Sequence, residues 1–454
     1  MNFSRRQFLH QAAAVTAGFT GLSGGCATLG IPRDRSGELV EDPRGWLDLP
    51  PGFRYQFVSS AGERMDDGLP VPSMHDGMGA FPGPNGRTIL VRNHELGGGG
   101  GEDELSRELM DYGSPSKIYD RLPMLGGTTT LVYDTKRRRL ERHHLSLVGT
   151  CRNCAGGPTP WGSWITCEET EAQVGEGRLR DHGYNFEVPA SATGGLIDPI
   201  PLVSMGRFQH EAVAVDPETG IVYQTEDQSD GLIYRYIPDV PGQLVQGGRL
   251  EALVVADQPG LDTRNWIGED GRPVGPRIES RRPMQARWIP LEEVNSPRND
   301  LRHRGFADGA ARFARGEGMW FGRDAVYFAC TNGGRRQLGQ IWRYAPSRTN
   351  DGGAEGNLEL FFESDDRAVL ENADNLTFSP WGDLFLCEDS PEEDRLIQVT
   401  PEGKTSIFAI NRFGHGELAG GVFSPDGTTL FVNAQSQSVT IAITGPWAKR
   451  HRLW

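Results

Sequence analysis

The sequence lacks any hydrophobic run that could cross a membrane, and it has too little positive charge for a nucleic-acid partner. Its one weakly apolar run near the N-terminus, 12–22, covers about half of the ~20 residues that a membrane span needs. With 61 acidic residues against 46 basic ones and a net charge of -15, the chain would repel a polyanion. Glycine pairs occur without the strand, helix and lysine of a phosphate-binding loop. Cations and small molecules are therefore the expected partners.

The first thirty residues, 1–30, have the pattern of a twin-arginine signal peptide. Arg5 and Arg6 stand directly before the weakly apolar run. We expect the twin-arginine translocase to export the folded protein to the periplasm or beyond. The residues before Cys26 resemble an imperfect lipoprotein cleavage box, and both a lipid anchor at Cys26 and ordinary cleavage remain open.

Glycine and proline are abundant, at 60 and 30 of 454 residues, which indicates many turns and short strands. A short β-rich run that ends in polar residues recurs six times. A polar residue opens the strand before several of these runs, 14 or 15 residues earlier, as in a repeated antiparallel hairpin. The six polar ends are 92–95, 166–169, 224–227, 329–332, 386–389 and 432–435.

Repeats of ~45 residues with several strands each are typical of propeller blades. We therefore predict an all-β fold, a single six-bladed β-propeller over 40–454, with 260–312 as a long loop insertion. A β-sandwich is the alternative if the blades do not close into a ring.

Equivalent strand ends of different blades converge on the axis of a propeller, and here most of them are acidic. Crowded carboxylates either take up protons or bind cations. Oxygen ligands favour calcium, magnesium or oxidised iron, and Cys154 among them indicates a transition metal beside calcium. On its own, the Cys151–Cys154 pair could equally be a disulfide, a redox pair or half of a zinc site. The candidate acidic ligands are Glu168, Glu169, Glu211, Glu226, Asp227, Glu317, Asp374, Glu388 and Asp389.

Several of these motifs together resemble the PhoX family of bacterial alkaline phosphatases. The most specific match is 153–157 with 159–162 and 166–169, and further matches are 92–95, 210–211 and 315–318. Gly316 departs from the family pattern, in which we expect proline between the arginine and the glutamate. The chain is also shorter than well-known family members, so loops that contact the substrate are expected to differ.

The resemblance implies a propeller, twin-arginine export and hydrolysis of phosphate monoesters at an iron (Fe3+) pair combined with calcium ions. It implies that Cys154 binds iron, that Arg315 contacts the phosphate, and that Glu317 acts with it in the catalytic site. The planar fork of arginine suits phosphate oxygens. The further ligands that the resemblance implies are Glu168, Glu169, Glu211, Glu226 and Glu317. We expect a monomer that acts on a small phosphoester.

Two other functions fit the same residues. One is a calcium-dependent propeller hydrolase that acts on lactones or phosphodiesters and needs no thiolate ligand. The other is a non-catalytic binding propeller in which calcium only joins the blades.

Overall fold

The computed structural model describes residues 39–97, 108, 115–120, 124–175, 177–348, 355–414 and 416–447. These ranges belong to one compact unit, Ser36–Trp454. The predicted signal peptide and Cys26 lie outside the described residues.

The described residues form short strands joined by tight turns, as their glycine and proline content predicts. The strands are β1 (Leu47–Asp48), β2 (Arg54–Ser60), β3 (His75–Pro82), β4 (Arg87–His94), β5 (Gly126–Asp134), β6 (Arg139–Thr150), β7 (Asn153–Pro158), β8 (Ser163–Glu168), β9 (Asn185–Pro189), β10 (His210–Val215), β11 (Val222–Glu226), β12 (Ile233–Pro238), β13 (Gly248–Val255), β14 (Met284–Pro290), β15 (Gly316–Phe321), β16 (Val326–Cys330), β17 (Gln340–Pro346), β18 (Glu355–Glu363), β19 (Ala373–Phe378), β20 (Leu384–Glu388), β21 (Arg395–Val399), β22 (Thr405–Asn411), β23 (Leu418–Phe423), β24 (Thr429–Ala434) and β25 (Val439–Thr444). The helices are the α-helix α1 (Leu301–Ala307) and 3-10 turns at Pro84–Gly86, Pro115–Lys117, Val203–Met205 and Leu244–Gln246. No described helix has the length and hydrophobicity of a membrane span.

The strands form six antiparallel meanders, which we call blades 1 to 6, so the prediction of a β-propeller is confirmed. The blades are β3–β6, β7–β9, β10–β13, β15–β18, β19–β22 with β1, and β23–β25 with β2. The six blades are not six separate sheets, because β14 pairs with both β13 and β18 and joins blades 3 and 4 into one nine-stranded sheet. β14 and α1 both lie in the predicted insertion 260–312.

The innermost strands close into a ring. β3, β7, β10, β15, β19 and β23 each contact the next, and β23 contacts β3. The N-terminal strand β2 pairs with the C-terminal strand β25 in blade 6, so the two ends of the propeller are held in one sheet. This pairing joins the two ends of the chain within one blade and so holds the ring of blades closed.

The ring is narrow because the third position of five of its six inner strands carries glycine or alanine. A Cβ at Gly77 would lie 2.6 Å from the Cα of Ala155, and one at Gly318 would lie 2.6 Å from the carbonyl oxygen of Asp374. At mid-height the ring holds only a cavity of about 20 Å³. The axial space is therefore nearly closed there, and the two ends of the ring are separate environments.

Candidate metal centre

The end of the ring at which the inner strands begin, which we call the channel mouth, carries the ionisable side chains. The second residue of five of the six inner strands is ionisable, and each is buried or nearly so. These residues are Asp76 in β3, Cys154 in β7, Glu211 in β10, Glu317 in β15 and Asp374 in β19.

A second layer comes from the residue directly after the second strand of each blade. Its backbone N–H donates to the carbonyl oxygen of the residue just before the inner strand, at 2.9–3.1 Å in all six blades. This repeated hydrogen bond places the residue beside the start of the inner strand. The six residues are Glu95, Glu169, Asp227, Thr331, Asp389 and Gln435.

Three groups of these side chains have the spacing of metal ligands. Their ligand atoms lie within 4.8 Å of one another in each group. A cation with oxygen ligands at ~2.3–2.6 Å keeps those atoms no more than about 5 Å apart, so the spacing fits. The groups are Cys154 with Glu169 and Glu211, Glu211 with Glu317 and Asp374, and Asp374 with Asp389 and Glu417. We call the seven residues together the acidic cluster.

The composition of the groups differs along the acidic cluster. The first mixes a thiol with two carboxylates and suits a transition metal, whereas the other two offer only carboxylate oxygens and suit a hard cation such as calcium. Glu211 and Asp374 each belong to two groups. A carboxylate shared in this way can bridge neighbouring ions, so the arrangement fits several adjacent cations.

Without cations, burial and mutual repulsion raise the pKa values of all seven members of the acidic cluster. Burial, opposed in part by Arg152, raises the pKa of Glu169 to about 9. Burial also raises the pKa of Asp374 to about 7, and burial followed by the charges of Glu211 and Glu169 raises that of the Cys154 thiol. Positive ions would reverse these shifts by stabilising the ionised forms.

Two arginines lie at the channel mouth. Arg315 donates from Nε and Nη2 to the two carboxylate oxygens of Asp227 at 2.7 and 2.9 Å, and from Nη2 to Glu317 Oε1 at 2.7 Å. Arg152 donates from Nη2 to Glu169 at 2.5 Å and lies 3.0 Å from Glu95. Arg315 and Asp227 therefore meet Glu317 at the edge of the acidic cluster, and Arg152 contacts Glu169 of the same cluster.

Glu168, a predicted metal ligand, points away from the acidic cluster. Its carboxylate accepts hydrogen bonds from the backbone N–H groups of Cys151, Gly183 and Tyr184 at 2.8–3.1 Å, and it lies 2.6 Å from His182 Nδ1. Successive residues of a strand face opposite sides. Glu169, the next residue, faces the channel mouth, and Glu168 therefore faces the interior of the blade.

Glu226 and Glu388 repeat this arrangement, so neither lies in the acidic cluster. The two oxygens of Glu388 pair with Arg395 at 2.6 and 2.7 Å, and one also accepts the N–H of Glu371. Glu226 accepts hydrogen bonds from the Tyr234 hydroxyl and a backbone N–H. Protein donors occupy both oxygens of Glu388 and Oε2 of Glu226, and these hydrogen bonds hold the ends of the two second strands.

Sequence reasoning missed Asp76, Glu95 and Glu417. Gln435 connects them, since its Nε2 donates to Asp76 and Glu95 at 2.9 Å and to Glu417 at 2.5 Å. The hairpin of blade 1 is longer than the others, so counting 14 or 15 residues back from its polar end does not reach Asp76. An acid followed by a small residue, as in 76–77, 211–212 and 317–318, was the signal that could have found it.

The five cysteines among the described residues are all free and buried, Cys151 and Cys154 included. Cys154 Sγ belongs to the first ligand group, whereas Cys151 does not. The pair therefore forms no disulfide, and the two residues have different environments.

A closed six-bladed ring with three candidate ligand groups at one mouth defines a β-propeller with a candidate metal centre. The chain belongs to the PhoX family of alkaline phosphatases, because the model of that family, described as alkaline phosphatase PhoX, matches residues 35–437. Members are metal-dependent phosphatases, so the predicted family and the predicted enzyme class, a phosphoric monoester hydrolase, are both confirmed.

Among solved structures, the chain is similar to PhoX of Pseudomonas fluorescens in complex with vanadate, a transition-state analogue. The TM-score is 0.67 at 17% identity, and the match covers 90% of this chain and 97% of that one. A virginiamycin B lyase from Staphylococcus aureus matches with a TM-score of 0.40 at 11% identity, over 86% and 99% of the two chains. A gluconolactonase from Xanthomonas campestris matches at 0.35 and 12%, over 88% and 98%. A search of curated proteins finds no match.

Proposed function

We propose that this phosphatase uses iron and calcium held by the acidic cluster to hydrolyse phosphate monoesters. The observation that carries the proposal is the chain of three ligand groups, in which a group that contains Cys154 shares Glu211 with an all-carboxylate group. In this proposal iron binds at the thiolate end, and calcium binds among the remaining carboxylates. When bound, the ions supply positive charge for the phosphoryl oxygens and an activated nucleophile.

Arg315 binds the phosphoryl group in this proposal. Asp227 holds its Nε and Nη2 edge, and Glu317 accepts a further hydrogen bond from Nη2. Nη1 has no hydrogen-bond partner among the described residues, so its two N–H groups remain available to phosphate oxygens. Burial lowers the pKa of Arg315, but the charges of Glu317 and Asp227 raise it by more than burial lowers it, so the guanidinium stays charged.

Substrate reaches the site from the channel mouth in this proposal, because the ring is nearly closed at mid-height. Glu317 has two roles: it orients Arg315, and it belongs to the second ligand group. A small phosphoester fits this route, whereas the excess of acidic residues disfavours a polyanion.

We also propose that the chain is exported in its folded state through the twin-arginine pathway and acts in the periplasm or outside the cell as a monomer. Arg5 and Arg6 support this location, and Cys26 offers a site for a lipid anchor. Folding before export would let the iron be inserted in the cytoplasm. Replacing both arginines by lysine should keep the protein in the cytoplasm, as measured by cell fractionation.

The test of activity is hydrolysis of p-nitrophenyl phosphate by the purified protein, before and after chelation. We expect turnover that chelation abolishes and that iron with calcium restores, while calcium alone does not. Turnover restored by calcium alone, or hydrolysis of a lactone in place of the phosphomonoester, would favour the calcium-dependent hydrolase. Metal-loaded protein without turnover on any ester would favour a binding propeller.

A further inference from the structure

Arg152 occupies the same position in blade 2 that Arg315 occupies in blade 4. Each directly precedes its inner strand, two residues before the ionisable second residue of that strand, and each has a positive φ, of 53° and 48°. The carbonyl oxygen of each accepts the N–H of the residue that follows the second strand, Glu169 or Thr331, at 2.9 and 3.0 Å. Blade 3 lies between them, so the two arginines flank the start of β10.

The side chains of the two arginines have similar surroundings. Each pairs with carboxylates at the channel mouth, Arg152 with Glu169 and Glu95, and Arg315 with Asp227 and Glu317. Their side chains are 44% and 37% exposed. Within the described part of the chain, Nη1 of Arg152, like that of Arg315, has no hydrogen-bond partner.

These features distinguish Arg152 from a purely structural arginine such as Arg395. Arg395 is 9% exposed and uses Nε, Nη1 and Nη2 in contacts with Glu388 and two backbone carbonyls. Arg152 instead keeps one nitrogen free at a partly exposed site next to a ligand group. A phosphoryl group offers three acceptor oxygens, more than the Nη1 of Arg315 alone can occupy with its two N–H groups.

We propose that Arg152 binds the phosphoryl group of the substrate together with Arg315, so that two arginines from blades 2 and 4 hold it over the acidic cluster. This inference rests on the proposed function, and it assigns the second arginine to the same site. The competing role for Arg152 is that of a counter-ion, which only neutralises Glu169 and Glu95 and thereby tunes metal binding.

The experiment is calorimetric titration of inorganic phosphate into the metal-loaded full chain, with the metal content of each variant measured in parallel. Arg348→Ala is the matched control: Arg348 is 38% exposed and pairs with Asp216 at 2.7 Å, and Asp216 follows the far end of β10. We expect Arg152→Ala to weaken phosphate binding about 10- to 100-fold at unchanged metal content, as the loss of a hydrogen bond between charged groups does. Arg152→Lys should recover part of the affinity, because lysine keeps the charge without the fork.

Unchanged phosphate affinity in Arg152→Ala would overturn the inference. So would a loss that follows lost metal and disappears when metal is resupplied, since a counter-ion role predicts that result. Wild-type protein that binds phosphate without hydrolysing p-nitrophenyl phosphate would contradict the proposed catalysis alone. Wild-type protein that does not bind phosphate would contradict both.

Discussion

Replacing Gly77 by alanine should distort the metal centre although no ligand residue is substituted. The new Cβ would lie 2.6 Å from the Cα of Ala155 and 2.7 Å from the carbonyl oxygen of Cys154, where ordinary contact begins at 3.4 Å. Both obstacles are backbone atoms, so β7 must move by about 0.8 Å relative to β3. Metal–ligand distances tolerate only about 0.2 Å. We therefore expect Cys154 to leave its position relative to the other ligands.

The expected cost in the free energy of unfolding is about 1–2 kcal/mol. Overpacking costs ~1–3 kcal/mol, and the stiffer unfolded chain returns ~0.4–1 kcal/mol. For a chain of this size, that cost lowers the Tm by only a few degrees. The more sensitive assay is therefore the iron content of Gly77→Ala. Gly195→Ala is the control, because its Cβ would meet nothing within 4 Å. Iron content and Tm equal to those of wild type would refute the close packing of β3 and β7.

The remaining predictions concern the acids. Glu168→Gln should lower the free energy of unfolding by ~1–3 kcal/mol in chemical denaturation, because an amide cannot accept every backbone N–H that the carboxylate accepts. Glu169→Gln should instead lower the metal content and leave the metal-free protein at least as stable as wild type. The reverse pattern would contradict the assignment of the two residues. In metal-free protein, the pKa values of Glu169, about 9, and Asp374, about 7, lie above their ordinary values of 4.5 and 3.8, so the folded state binds more protons and stability should fall as the pH rises from 5 to 9. Calorimetry should show a decreasing Tm without metal and a much flatter profile with it, and a Tm that rises with pH in the metal-free protein would contradict the burial of these acids.

The sequence predicted the propeller because a hairpin whose polar ends lie 14 or 15 residues apart recurs along the chain. Counting 14 residues back from Glu168 places Cys154 opposite it, but in the structure Asn153 pairs with Glu168. A β-bulge follows Asn153, and comparable irregularities occur in the other inner strands. A shift of one residue turns a side chain to the opposite face. Counting alone therefore could not separate Glu169 from Glu168.

The joining of blades 3 and 4 into one sheet was harder to predict than the repeat. β14 lies in a stretch rich in arginine and proline that has no strand pattern of its own, and it is held by pairing with β13 and β18. Glu417 was missed for a related reason, since it comes from the residue before β23 and not from its second position, which is Ala419. Tertiary pairing, which local sequence does not encode, decides both features.

The most direct test of the central claim is the iron and calcium content per chain of wild type and of Cys154→Ser, measured by elemental analysis after purification without added metal. The proposal predicts iron and calcium in wild type, and calcium with little iron in Cys154→Ser. Cys330→Ser is the matched control, because Cys330 is a buried free thiol outside the acidic cluster, and it should keep its iron. Wild type without iron, or Cys154→Ser with as much iron as wild type, would contradict the account.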